Sequence, residues 1–351
     1  MNTLKPTAVI STGMVTGVGL STPASCAAIR CAIDNFQETR FIARGGDWIV
    51  ASEVPLDPPV RGRAKLIRMA AMAIAECWAK LPVPATHPIA LLLCLAEADR
   101  PGRLAGVDES LLSDLADDLG VHLSTNSAVF QNGPIGGAQA VRTAMTLIDD
   151  QLEPFVIVAG VDTMLVAGTL TALDDAYRLL TPSNSNGLIP GEAGAAVALA
   201  AVQPQTDSPQ FTLHGCGFGT ETATITSDLP LKADGMSAAI GDAFQSSGCT
   251  YHDVAYRITD ISGEQYAFKE ASLAAARTMK QVKEEFDLWH TADCIGDIGA
   301  AIVPCMIAVA KTAAEKKYAP GDGVIFQCAN DDGARSAIVG RYTSGAPRHV
   351  Q

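Results

Sequence analysis

Short apolar runs alternate along the chain with stretches of helical spacing, the pattern of an α/β protein. Ala8 to Gly13 is a short apolar strand running into a Gly-rich turn, and Ser21 to Asp34 reads as a capped helix. Arg61 to Leu81 places Leu66, Ile67, Met69, Ala70, Ala73, Ile74 and Trp78 at helical spacing, stopped by Pro82 and Pro84. Ile89 to Leu95 is apolar throughout, as in a strand covered on both faces. Gly133 to Gly137 reads as a turn, followed by a helix from Ala138 to Asp149 and a strand from Phe155 to Gly160. A long loop then leads through Gly191-Glu-Ala-Gly194 into a strand from Ala195 to Val202.

The same order returns near the end. Gly296-Asp-Ile-Gly299 opens a helix from Ala300 to Ala314, a strand runs from Gly323 to Cys328, and Asn330-Asp-Asp-Gly333 leads into a strand from Ser336 to Gly340. Gly-turn, helix, strand, loop, strand, given twice, predicts an internally duplicated α/β protein. Between the passages lie strands at Phe211–Gly217 and Val254–Ile261 and helices at Gly235–Ser246 and Tyr266–Val282. The Gln-, Pro- and Ser-bearing stretch from Val202 to Pro209 is the expected junction, giving halves of 1–203 and 210–345. Periodicity alone allows either one layered body or two doubly wound domains.

Composition narrows the function. At 351 residues, 48% hydrophobic and 18% charged, the chain has ample core for a folded body. A net charge of −13 repels phosphate backbones and anionic lipid, so neither nucleic acid nor membrane is an expected partner. No apolar run is long enough to span a bilayer, and no export signal is visible at the start. Nine cysteines without a C-x-x-C pair fit neither a disulfide framework nor a zinc ribbon, which predicts reduced thiols, no metal and a cytoplasmic setting. The glycines of His214-Gly-Cys-Gly-Phe-Gly-Thr220 depart from the dinucleotide fingerprint, so no cofactor is implied.

Several segments carry a family resemblance. Ala8-Val-Ile-Ser-Thr-Gly-Met-Val-Thr-Gly-Val-Gly-Leu20 with Ser25-Cys-Ala-Ala-Ile29 resembles the opening of β-ketoacyl synthases of the thiolase superfamily. Ile189-Pro-Gly-Glu-Ala-Gly-Ala-Ala-Val197 is similar to their Gly-Glu-Gly-Ala-Gly signature, Gly296-Asp-Ile-Gly-Ala-Ala301 to their Gly-Ala-Ala-Gly-Ala, and Asn330-Asp-Asp-Gly-Ala334 to their final Gly-rich loop. These pieces keep the family's order over nearly the whole chain. The resemblance implies two βαβαβαββ halves in a layered αβαβα architecture. It also implies a dimer joined at sheet edges through the strand Phe155 to Gly160.

Family members use a nucleophilic Cys at a helix N-terminus, two His and an associated Lys. Here the matching neighbours put Pro134 at the Cys, Ser262 at the first His, Asp293 at the second His and Leu288 at the Lys. No Cys lies between Cys94 and Cys216, so no slip of register restores the nucleophile. The resemblance therefore implies a member that has lost condensation and acts as a protein-binding scaffold, adaptor or chaperone, as homodimer or heterodimer. Two groups of such members are similar: chain-length-factor-like partners of an active ketosynthase, and thiolase-like proteins encoded beside type VI secretion effectors. The stretch through Phe41-Ile-Ala-Arg-Gly-Gly-Asp-Trp48 is closer to the second. An acyltransferase with a relocated nucleophile, Cys294 beside His290, and a ligand-binding protein without chemistry are the competing classes. Arg61, Arg63, Lys65 and Arg68 concentrate basic charge in an acidic chain and form a candidate dock for an acidic partner, against the plainer reading of a solvated helix face.

Overall fold

The computed structural model describes residues 5–81, 87–203 and 208–344. Pro82, Pro84 and half of the expected junction, residues 204–207, lie outside the described residues. In chain order the first half carries β1 (Thr7–Thr16), α1 (Thr22–Arg30), β2 (Phe36–Ile42), β3 (Trp48–Ser52), α2 (Gly62–Trp78), β4 (Leu91–Cys94), α3 (Ser110–Leu119), β5 (Ala128–Phe130), α4 (Gly133–Asp149), β6 (Phe155–Thr163), α5 (Ala167–Asp175) and β7 (Glu192–Ala201). The second carries β8 (Gln210–Thr220), α6 (Asp234–Ser247), β9 (Tyr256–Thr259), α7 (Gln265–Thr278), β10 (Asp287–His290), α8 (Ala292–Ile295), α9 (Ile302–Glu315), β11 (Gly323–Ala329) and β12 (Ala334–Thr343).

The strand order repeats. One ten-stranded ladder runs β10-β9-β11-β12-β8-β1-β7-β6-β4-β5. On each side a parallel trio (β5-β4-β6, β10-β9-β11) is followed by two antiparallel pairings (β6-β7-β1, β11-β12-β8). The two blocks meet through β1 and β8 at just two register pairs, Thr7 with Leu213 and Ala8 with Thr212.

Apolar faces decide the layers. Helices α2 and α3 bury Leu66, Met69, Ile74, Leu111 and Leu115 against one face of the first block. Helices α6 and α7 bury Met236, Ile240 and Ala274 against one face of the second. The largest cluster takes the other face of both blocks together with α4 and α9. α9 is buried nearly all round, which a helix tolerates only inside a protein. The result is a helix–sheet–helix–sheet–helix sandwich, the layered α/β fold that the resemblance implied.

Close approach in the middle layer explains residues that looked like a turn. Gly133 to Gly137 is the first turn and a half of α4, not a loop before it. A Cβ on Gly137 would lie 2.5 Å from Val303 of α9, so glycine lets the two central helices touch. Gly160 of β6 likewise leaves room for the Ala300 carbonyl, 2.3 Å from where a Cβ would stand. The strand Phe155 to Gly160 is a second correction. It belongs to β6, which is paired on both sides by β4 and β7, and so has no free edge to offer a partner. The ladder ends instead at β5 and β10.

Candidate functional site

α4 starts where β5 ends, and its first turn faces the second half of the chain. Pro134 sits in that turn and lines a cavity of about 90 Å³ shared with Asp260, Ser262, Glu264, Asp297 and Asn330. A helix start normally presents unused N–H groups to an anion. Here they are spent. Gly133 donates to the Leu95 carbonyl at 3.1 Å, Ile135 to Asn330 Oδ1 at 3.2 Å and Gly136 to the Asn132 carbonyl at 3.2 Å, while Pro134 has no N–H. Asn330 is itself fixed, since its Nδ2 donates to the Asn132 carbonyl at 2.9 Å. One side chain from the second half thus plugs the donor array of the first.

The cavity floor is acidic. Burial pushes the Asp260 carboxyl up to about 7, against the Ala329 N–H that donates to it at 2.7 Å, and Asp297 adds like-charge repulsion. Asp297 is raised by the same burial, although it accepts from Gly299 N–H at 3.0 Å and from Ser262 Oγ at 3.4 Å. The cations nearby are already committed. Arg335, fully buried, grips Glu270 at 2.9 Å, and Arg178 is bidentate to Glu264 at 2.7 and 2.8 Å while also meeting Asp331. Arg100 holds Asp162 at 2.7 and 2.8 Å and Glu97 at 2.7 Å, and Asp162 accepts the Ala300 N–H at 2.9 Å. Asp162 is thereby a clamp between β6 and the entry to α9.

The cavity opens into a larger space of about 480 Å³, which shares Pro134, Arg178, Asp297 and Asn330 with it. That mouth presents Glu97, Asp99, Asp297, Asp331 and Asp332 around Arg100 and Arg178. With both arginines paired internally, its charge is negative, and an incoming phosphate or thioester enolate meets repulsion. No cysteine lines either space.

The residues singled out from sequence are distributed differently from expectation. Pro134 and Ser262 line the cavity together. Asp293 does not: its side chain is 71% exposed on α8 and pairs with His290 at 3.1 Å. The residue that meets Ser262 is Asp297, four positions on, because the turn at Gly296 points Asp297 inward. Its sequence signal was present in Gly296-Asp-Ile-Gly299, read only as a fold motif. Leu288 lies half-buried on the edge strand β10 and does not line the cavity.

Cys294 and His290 each have a partner other than the other. The Cys294 thiol is buried, aims at the Ile29 carbonyl at 4.0 Å and is pushed up to about 11 by burial, while His290 is engaged by Asp293 and by the edge of Phe268. The basic group on α2 also comes apart. Lys65 is buried, held by Glu53 at 2.9 Å and by Glu192, and Arg63 is tied to Asp114, Ser110 and the Gly106 carbonyl. That leaves only Arg61 and Arg68 exposed. Among the described residues, no group of three His, Cys, Asp or Glu is placed to hold a metal ion, and no helix is long and apolar enough to cross a membrane.

No family model and no curated protein matches the sequence. Solved structures do match the fold. A chain of the AntDE:AntF complex, a type II polyketide acyl carrier protein with its ketosynthase bound to the hexaketide, superposes with a TM-score of 0.79 at 14% identity, covering 96% of this chain and 99% of that one. A ketosynthase ApeO–chain length factor ApeC complex from Xenorhabdus doucetiae gives 0.76 at 13%, covering 97% and 98%. A β-ketoacyl synthase from Burkholderia phymatum gives 0.73 at 14%, covering 97% and 100%. The chain has the thiolase-like fold of ketosynthases and chain length factors.

Proposed function

We propose that this chain is a ketosynthase-fold protein without condensing activity, whose work is to bind another protein as a scaffold, adaptor or chaperone. The observation that carries the reading is the start of α4. It bears Pro134 where the resemblance puts a nucleophile, and its remaining N–H groups are taken by Leu95, Asn132 and Asn330. An acyl enzyme needs a thiolate and donors for the developing oxyanion, and neither is offered. The acidic cavity and mouth support the same reading, because substrates carried on phosphate-bearing arms would be repelled there.

The partner proposed is a secretion-system effector, following the resemblance of the amino-terminal stretch. A chain-length-factor-like role beside an active ketosynthase is the second reading, favoured by the likeness to chains from ketosynthase–chain length factor complexes. In either reading the protein works in the cytoplasm, and a homodimer or heterodimer would form across an open ladder end, β5 rather than β6. Affinity purification of the tagged full chain from its own cells tests this. Recovery of an effector supports the first reading and recovery of a ketosynthase the second, whereas a chain that returns alone and runs as a monomer in light scattering contradicts both.

A further inference from the structure

Residues of β1, α1 and the end of α9 line a groove of about 480 Å³ with no place in the function proposed above. Its volume falls within the range of small-ligand sites, roughly 300–1,000 Å³. Its floor is apolar. β1 has a bulge between Val9 and Ser11, and the extra residue, Ile10, is turned outward so that it is 39% exposed at the groove rather than packed in the sheet. Pro23, Cys26 and Ala27 continue that surface along α1.

The two ends differ in charge. Where α1 begins, the Lys80 ammonium is consumed by Glu76 and by the Thr12 carbonyl, both at 3.1 Å. Along α9, Lys311 is consumed by Glu315. Where α1 and α9 finish, Arg30 lies 4.3 Å over the Tyr318 ring and Lys316 stands at the helix end, and among the described residues neither meets a carboxylate. Two uncompensated cations at one end of an apolar trough, in a chain of net charge −13, select a ligand with an anionic head and an apolar tail.

We propose that this groove binds a medium-chain amphipathic carboxylate, its head between Arg30 and Lys316 and its tail running over Ala27 and Pro23 toward Ile10. α1 spans nine residues, about 13 Å of helix, which sets the length of tail the trough can cover. Cys31, the one cysteine of the nine that is exposed, lines the same groove and reports on its occupancy.

The test is titration of the full-length protein with dodecanoate, followed by calorimetry and by protection of Cys31 from N-ethylmaleimide, a neutral reagent. Dodecanoate is expected to bind saturably and shield Cys31, with dodecanol about tenfold weaker and butyrate without effect. Arg30→Glu and Lys316→Glu should each weaken dodecanoate by about tenfold while leaving dodecanol unchanged. Ala27→Trp, which fills the trough, should abolish binding of both, with unaltered thermal melting as the control for folding. Absence of binding to the wild-type chain, equal affinity for dodecanol, or indifference to both charge reversals overturns the proposal. Binding of an acidic peptide in place of dodecanoate overturns it in favour of a protein partner at this groove.

Discussion

The mouth of the cleft at the start of α4 and the groove between α1 and α9 have the same volume, about 480 Å³, yet opposite electrostatics. The mouth shows five carboxylates around two arginines that are both spent on Asp162, Glu97, Glu264 and Asp331. The groove shows four cations against Glu315. Size alone would nominate either space for a ligand. What separates them is which charges remain unpaired, and that is decided by neighbours several elements away. In the mouth, both arginines are fixed by carboxylates and neither is free for an anion. In the groove, the helix ends at Arg30 and Lys316 keep theirs.

The comparison is broken most severely by removing the arginine beneath the cleft. Arg335→Met leaves Glu270 buried without its cation, with side-chain exposures of 1% and 3% for the pair, and is expected to cost about 3–5 kcal/mol in urea unfolding at neutral pH. The double change Arg335→Met with Glu270→Leu should recover most of that loss. Persistence of the full loss in the double variant would show that the packing of α7, not the charge, is what matters.

A smaller effect of opposite sign is expected at Asp260. Its folded-state carboxyl is raised to about 7, above its ordinary unfolded value, so its contribution to stability is present at acid pH and is lost as pH rises through about 7. Asp260→Asn keeps an acceptor for the Ala329 N–H. It should therefore leave stability unchanged near pH 4 and raise it by on the order of 2 kcal/mol at pH 8, below the full linkage value because solvent reaches the cavity. Thermal melts across that range check the sign, and a gain confined to low pH would contradict the assigned cause.

Much of the fold was legible because its signals are local and repeated. The Gly-rich openings, the apolar run of β4 and the all-round apolar α9 announce themselves by period and composition. The hairpin of β2 and β3 did not, since Phe36-Gln-Glu-Thr-Arg-Phe-Ile42 is largely exposed and has no apolar face to count. α3 escaped for a like reason, with only Leu111 and Leu115 buried in ten residues. At the site, Pro134 and Ser262, picked out by their neighbours in sequence, line one cavity. Asp293, set at the second His by the resemblance, lies outside the cavity that Asp297 lines, because spacing along a chain cannot tell which side of the Gly296 turn faces inward. The basic run of Arg61, Arg63, Lys65 and Arg68 misled because the carboxylates that consume Lys65 come from Glu53 and Glu192, twelve and 127 positions away.

The sharpest dissection of the cleft introduces reactive groups stepwise. Pro134→Cys supplies a thiol, yet Asn330 still occupies the Ile135 N–H and the mouth still repels anions. Its acylation by acyl-coenzyme A is expected to be no faster than background at exposed Cys31. Adding Asn330→Ala and Asp331→Lys should raise the rate by about tenfold, within the range of electrostatic steering. Equal rates in the single and triple variants would remove electrostatics from the explanation and leave shape alone.

The most direct measurement needs no variant. The full-length protein is incubated with acyl-coenzyme A thioesters and its intact mass is recorded, with peptide mapping of all nine cysteines. A cleft with Pro134 at its helix start predicts an unmodified mass apart from slow, sub-stoichiometric labelling of Cys31. A rapid stoichiometric adduct on any residue, Cys294 above all, would contradict the account.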